Sequence, residues 1–420
     1  MEIGEEMSVS ENMFCDISGM DWMISYIGWK SRSLPSRSNH FSVIAQVTDS
    51  FRFPDLEEKI SRLKKLRAFL AGSVKRRFPV WIPRWYWGEN FCPGILCESV
   101  SSEEEGAIRN FLPQGVAVKI RFFPRQKKLS FTFSHTVFDG IGAEKFIAFL
   151  LGPEFRDEPP FLRFPPDIPQ MKQSGKDLQK IMRQFPEKKI LRLPDPGSRT
   201  ENKFETLFLT REQYQLLASA VERKYGPFSF SIFILALLLC QLERDLFPSE
   251  PSKDFVFVPM SVDLRAAQKL ENDLFFNRWA LMPLLVSRKI LASGIPETFK
   301  HLRKLYTEAL ASRTPQTFFQ ASEAMKYVPF RLIDLFVRMN PARTLGTVMF
   351  SFLNSAGAME GKIRNLYHCP TMPCGNTLGF FANVYDGNFN LVISRRPWKD
   401  DGKFLCFRRN LFEKLQEGEV

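Results

Sequence analysis

The chain has 420 residues, 44% hydrophobic and 25% charged, a composition that fits a soluble globular protein with two sizeable lobes and excludes disordered, collagen-like and mucin-like classes. Lysine and arginine exceed aspartate and glutamate by 12, a bias toward anionic partners such as phosphates, an acidic protein or an anionic membrane surface that says nothing about fold. Seven cysteines cannot all pair within one chain, so free thiols and a reducing compartment are expected.

In chain order, the first forty residues carry no basic segment followed by an apolar run and a small-residue cleavage site, so no signal peptide is expected. Phe41 to Val47 alternates like a strand. Pro54 then opens a helix in which Leu56, Ile60, Leu63, Leu66 and Leu70 recur at helical spacing. Val80 to Trp87, broken by Pro83, reads as an edge strand or extended segment. Ser102 and Glu105 fit a capping box for a short helix toward Leu112. Val116 to Phe123 and Leu129 to Ser134, joined by a turn, predict a hairpin, and a helix from about Ala143 to Leu151 follows.

Residues 153 to about 202 are rich in proline (Pro153, Pro159, Pro160, Pro165, Pro166 and Pro169 among them), which predicts a crossover between an N-terminal lobe, 1–152, and a C-terminal lobe, 203–420. The second lobe restarts with a strand, Phe204 to Leu209, and a helix capped by Thr210 and Gln213 that ends at Gly226. The longest apolar stretch, Phe228 to Leu242, falls short of the ~20 residues a bilayer needs and predicts a buried core helix in a cytoplasmic protein with no transmembrane segment. A strand at 255–258, helices at 297–311, 315–326 and 329–339, strands at 347–353, 377–384 and 389–394, and a helix at about 402–416 complete the pattern. Strands and helices mix without a βαβ rhythm, so the fold class expected is α+β.

One segment carries chemistry. At the end of the second hairpin strand stands Ser134-His135-Thr-Val-Phe-Asp139-Gly140, an H-x-x-x-D-G pattern that arises by chance in about one such sequence in a hundred. A strand end is a rigid mount facing a cavity, and a histidine there titrates near neutrality and can take a proton from a hydroxyl or amine. Gly140 allows a sharp turn and close backbone approach, and the helix N-terminus behind it favours developing negative charge. A strand at Phe255–Val258 leads to Val262-Asp263-Leu264-Arg265, and arginine's planar fork suits a buried pair with a carboxylate such as Asp139. Small polar residues, Ser351 and Asn354, follow a hydrophobic strand, and Tyr385-Asp386-Gly387 joins two more.

Taken in this order, these features, with Asn277 downstream of the arginine, resemble the CoA-dependent acyltransferase superfamily, which includes chloramphenicol acetyltransferase, condensation domains, plant BAHD enzymes and wax ester synthases. The resemblance covers most of the chain. It implies two chloramphenicol acetyltransferase-like lobes, each a mixed β-sheet with flanking helices, meeting at a central tunnel. It also implies acyl transfer from a CoA or carrier-protein thioester to a hydroxyl or amine, with His135 as general base. Asp139, Gly140 and Arg265 would be structural at the active site, and Ser351 and Asn354 would face the substrate or the oxyanion. No permanently bound cofactor or metal is implied. The partners implied are acyl-CoA or an acyl-phosphopantetheine carrier as donor, a small alcohol or amine as acceptor, and an acidic acyl carrier protein; nucleic acid is not among them. Ser134 stands where condensation domains carry a first histidine, which speaks against peptide-bond synthesis, and the aspartate-phenylalanine-glycine-tryptophan-glycine motif of plant enzymes is missing. The alternative is a non-catalytic binding or docking module on the same fold.

Three further features read as structural. Cys92-x₄-Cys97 and His368-Cys369-x₄-Cys374 lie at the edge of zinc-ligand spacing and read as loops with free cysteines. Basic clusters at Lys64-Lys65-x-Arg67, Lys75-Arg76-Arg77, Arg125-x-Lys127-Lys128, Arg395-Arg396 and Arg408-Arg409 read as solvated faces, with phosphate or carrier-protein contact as the functional alternative. The 42 phenylalanines read as an aromatic core, with an apolar tunnel lining as the alternative.

Overall fold

A computed structural model describes residues 13–31, 39–76, 82–88, 93–100, 111–159, 167–183, 190–193, 202–247, 255–270, 273–339, 346–355, 359, 361–373, 376–397 and 401–417. In chain order its strands are β1 (Met13–Asp16), β2 (His40–Val47), β3 (Ser73–Arg76), β4 (Pro83–Trp87), β5 (Gly94–Ser99), β6 (Val116–Phe123), β7 (Lys128–Ser134), β8 (Lys203–Leu209), β9 (Phe255–Asp263), β10 (Trp279–Ser287), β11 (Met349–Asn354), β12 (Ile363–Pro370), β13 (Leu378–Tyr385) and β14 (Asn388–Arg395). They form a three-stranded sheet in the order β1-β4-β3, a five-stranded sheet in the order β12-β2-β7-β6-β5, and a six-stranded sheet in the order β10-β9-β11-β13-β14-β8.

Both large sheets mix parallel and antiparallel pairs, and helices flank them, giving an α+β architecture. Each has its own apolar core. One gathers Phe131, Phe133, Phe138 and Phe146 with Phe69 and Trp85, the other Phe233, Leu238, Phe350 and Phe380. The β6–β7 hairpin forms where alternation placed it, and the β13–β14 hairpin closes through Asp386 and Gly387, both at positive φ, the pair of left-handed residues that a two-residue hairpin turn requires. β12, from the second half of the sequence, is the outer strand of the five-stranded sheet, pairing with β2.

Several sequence expectations need correction. The helix expected from Pro54 to Leu70 is two helices, Phe53–Arg62 and Lys64–Leu70, because Leu63 leaves helical geometry and turns its N–H back to Ile60 while its side chain stays fully buried. β4 is the middle strand of its sheet and not an edge; Pro83 is tolerated because it stands first in the strand. The proline-rich stretch contains a helix, Ile168–Met182, started by Asp167, whose side chain accepts from the Gln170 N–H. The helix after the H-x-x-x-D-G segment begins at Gly140 and not at Ala143, since Asp139 caps it. Cys97 and Cys369 lie in strands, β5 and β12, at opposite edges of the five-stranded sheet, and not in loops. Arg395 and Arg396 are buried and not a solvated face: Arg395 pairs with Asp401, and Arg396 donates to the carbonyls of Met372 and Pro373. The expected capping box at Ser102 and Glu105 lies outside the described residues, as do Cys92 and Cys374.

The apolar helix, Phe230–Asp245, is buried on nearly all sides. Among the described residues no single helix is long and apolar enough to cross a membrane; the bent pair Arg211–Tyr225 and Phe230–Asp245 meets that test by length and composition only.

Candidate active site

Phe131, Phe133 and His135 succeed one another at a period of two along β7 and its exit, and on the neighbouring strand Phe41 stands opposite Phe133 and Val43 opposite Phe131. The face they share is covered by the helix Gly140–Leu151, whose Phe146 packs against Phe133 and Phe138. This places His135 at the rim of a packed aromatic layer, its ring edge-on to Phe41 at 5.1 Å between centroids and tilted against Trp279 at 6.2 Å.

The main chain of His135 is held on both sides. Its N–H donates to the Asn39 carbonyl at 3.1 Å, and its own carbonyl accepts from Asn277 Nδ2 at 2.9 Å. Asn277 is fixed in turn by Asp21, whose Oδ1 accepts from its backbone N–H at 2.7 Å and from its Nδ2 at 2.9 Å, while Asn277 Oδ1 accepts from Trp279 Nε1 at 3.0 Å. The Phe276 N–H donates to the Val137 carbonyl, so the segment 276–278 runs alongside 137–139 as a parallel partner. The ring of His135 is left half-buried, with Nδ1 out of solvent and without a hydrogen-bond partner among the described residues. Burial lowers its pKa below the ordinary histidine value, and the nearby Asp139 charge and Asn277 oppose this without offsetting it. The imidazole is therefore neutral at pH 7, the form that can accept a proton.

Asp139 is fully engaged. Oδ1 accepts from the Gly142 N–H and from Arg265 Nη2, both at 2.7 Å, and Oδ2 accepts from the Arg278 N–H at 2.9 Å. Burial works to raise its pKa, but the Arg265 charge and these donors outweigh it, and the carboxyl is held below its usual range. Arg265 is also buried; it donates from Nη1 to Asp263 at 2.8 Å and from Nε to the Asp273 carbonyl at 3.3 Å. Gly140 is the first helical residue, and its missing Cβ makes room for close packing: a Cβ there would lie 3.0 Å from Leu353 Cδ1 and 3.6 Å from His368 Cε1. Ser351 and Asn354 are carried on β11. The Ser351 hydroxyl bonds that of Ser261 at 2.9 Å, Asn354 is exposed at the strand end, and neither bonds to His135.

Two groups escaped the sequence reading. One is Asp21, fully buried near the start of the helix Gly19–Ser31, with its Oδ2 accepting from the N–H and hydroxyl of Ser18; burial pushes its carboxyl pKa up. The pattern Ser18-x-x-Asp21 was the available signal, a reciprocal cap completed by the Asp21 N–H donating to Ser18 Oγ. The other is the buried pair of His368 on β12 and Glu144 on the helix Gly140–Leu151, 2.6 Å apart. The same Glu144 oxygen accepts from the Ser355 hydroxyl, which itself accepts from Asn383 Nδ2. No local pattern joins residues this far apart. Among the described residues no three histidine, cysteine or acidic side chains are grouped to hold a metal ion.

No family model and no curated protein matches the sequence. Solved structures match its fold along nearly the whole chain. The TRI3 trichothecene 15-O-acetyltransferase from Fusarium sporotrichioides is similar with a TM-score of 0.67 at 12% identity, covering 97% of this chain and 96% of that one. The first condensation domain of the calcium-dependent antibiotic synthetase has a TM-score of 0.65 at 11% identity, covering 96% of each chain. The starter condensation domain of rhizomide synthetase, in complex with C8-CoA and Leu-SNAC, has a TM-score of 0.63 at 12% identity, covering 96% of this chain and 94% of that one. The fold is thus shared with the TRI3 acetyltransferase and with condensation domains.

Proposed function

We propose that the protein is an acyltransferase that moves an acyl group from a CoA or carrier-protein thioester to a hydroxyl or amine, with His135 as general base. The observation that carries this reading is the mounting of His135: its backbone is pinned from both sides while its imidazole stays neutral and half-buried at a strand end. The acceptor's nucleophilic atom attacks the thioester carbonyl as His135 takes its proton. The tetrahedral oxyanion collapses, the carbon–sulfur bond breaks, and the imidazolium returns the proton to the departing thiolate. Neither an acyl-enzyme nor a metal enters this sequence. Asp139 has no part in the proton transfer, because both its oxygens are committed to Arg265, Gly142 and Arg278. Ser351 and Asn354 are the donors proposed for the oxyanion; Ser351 accepts from the Ser261 hydroxyl, which leaves its own O–H to donate.

Support comes from the fold, which the TRI3 acetyltransferase and a condensation domain solved with C8-CoA share. The basic charge suits the phosphates of CoA or an acidic carrier protein. The test is incubation with a panel of acyl-CoAs and small alcohols and amines, measuring released thiol. Thiol release that depends on acceptor and on His135 supports the reading, and release unchanged in His135→Ala overturns it. A second reading, a docking module without chemistry, is favoured by one neighbour, the X-domain in complex with OxyB, with a TM-score of 0.58 at 11% identity. Absence of acceptor-dependent thiol release across the panel is the result it expects.

A further inference from the structure

An open cavity of about 440 Å³ lies where β7 ends, a size suited to a small molecule. Trp22, Trp85 and Phe330 supply its apolar wall, and Ser134 and Thr136, the residues on either side of His135 in sequence, add hydroxyls. His135 is not part of this wall. Among the described residues lining it, Arg76 is the one arginine or lysine, His40 is the one histidine, and there is no carboxylate.

Arg76 ends β3. Its Nη2 donates to the main-chain carbonyls of Lys326 and Val328, the latter at 3.1 Å, and its guanidinium lies 4.4 Å from the centroid of the Trp22 ring. Its Nε is buried with no acceptor among the described residues. A guanidinium donor withdrawn from water and left unpaired is unfavourable unless something arrives to meet it. The aromatic wall is rigid: Trp22 Nε1 donates to the Val328 carbonyl at 3.0 Å and its ring stacks on Phe330 at 4.0 Å, and Trp85 Nε1 donates to the Phe69 carbonyl at 2.9 Å. The indole N–H groups are thus already spent on the protein, and the rings offer apolar surface. A planar fork with a spare donor matches a carboxylate better than a neutral oxygen.

We propose that this cavity binds a flat apolar or aromatic molecule bearing a carboxylate, its rings among Trp22, Trp85 and Phe330 and its carboxylate on Arg76. The assignment goes beyond acyl transfer and does not rest on it. The test is calorimetric titration of the full chain with 2-naphthoate and with its neutral counterpart, 2-naphthamide. Naphthoate is expected to bind at least ~10-fold more tightly than the amide, the scale of a charge-assisted pair. Arg76→Gln should bring the acid down to the affinity of the amide and leave the amide unchanged. Should that variant not fold, Ser134→Phe, which fills the cavity with Arg76 intact, should abolish binding of both. Equal affinity for acid and amide in the unmodified protein, a preference for the acid that survives Arg76→Gln, or binding unaffected by Ser134→Phe would each overturn the proposal. No thioester enters the measurement, so its result is independent of whether the protein transfers acyl groups.

Discussion

Asp139 and Arg265 meet at 2.7 Å, each almost wholly withdrawn from solvent. Together they join the turn behind His135 to the strand end at Asp263. Removing Asp139 leaves buried Arg265 with Asp263, a carboxylate about one-third exposed, as its remaining counter-charge among the described residues. Asp139→Ala should therefore destabilise the fold by about 3–5 kcal/mol. It also deprives the helix Gly140–Leu151 of its cap. Urea denaturation measures the loss; a change below about 1 kcal/mol would show that the pair is not structurally required.

His135→Ala should behave in the opposite way. Its Nδ1 has no hydrogen-bond partner among the described residues, whereas its backbone is what Asn39 and Asn277 hold. Turnover of a productive thioester and acceptor pair should fall by about 10²- to 10⁴-fold, while the melting temperature changes little. Steady-state kinetics beside a thermal melt separates the two effects.

Asn277→Ala tests the mounting itself. It removes the donor on the His135 carbonyl and one of the donors on buried Asp21, and leaves the base in place. The expected outcome is a loss of about 1–3 kcal/mol in stability, the cost of leaving those buried acceptors short. Turnover should fall while KM for the thioester is retained, because the imidazole loses its fixed bearing. Wild-type turnover would mean that the Asp21–Asn277–His135 chain does not position the ring.

The pH dependence follows from the sign of the His135 shift. Burial lowers its pKa below 6.5, so the imidazole stays unprotonated through neutrality. Turnover should be flat from about pH 7 upward to the next titration and fall only on acidification below the ordinary histidine pKa. The unfolded chain takes up this proton before the folded one does, so His135 also weakens the fold in that acid window. A pH–rate profile checks the first point; an acid limb centred above pH 7 contradicts it.

Glycine at 142 is required by space. A Cβ there would stand 2.4 Å from the Leu274 carbonyl, with Asp139 Oδ1 and Arg265 Nη2 at 3.1 and 3.2 Å. Gly142→Ala should cost about 1–3 kcal/mol through overpacking, read by denaturation, and lower turnover by displacing the segment that carries Asn277.

Legibility in the sequence follows the range of each interaction. The β6–β7 hairpin, the strand-end position of His135 and the Thr210–Gln213 cap are written in neighbouring residues, and they stand where periodicity places them. Arginine 265 could be singled out because a strand and a short motif mark its place. β10 is hidden because Pro283 interrupts its pattern; it is accommodated on an edge strand opposite Pro259. β12 is hidden because burial on both sides blurs its alternation. The Glu144–His368 pair and the place of Arg76 in a cavity wall depend wholly on tertiary packing, and Arg76 read as one more solvated charge.

The pairing of β12 with β2 has a consequence for anyone dividing this molecule. A chain severed near residue 202 would leave the first fragment with the amides and carbonyls of alternate residues along Phe41–Val47, those that face β12, uncovered along a naked border, an invitation to self-association. The second fragment would carry the missing staple with nothing to fasten. Neither piece should be monodisperse by itself, yet mixing them should restore one compact species, as a reporter split into complementing halves does.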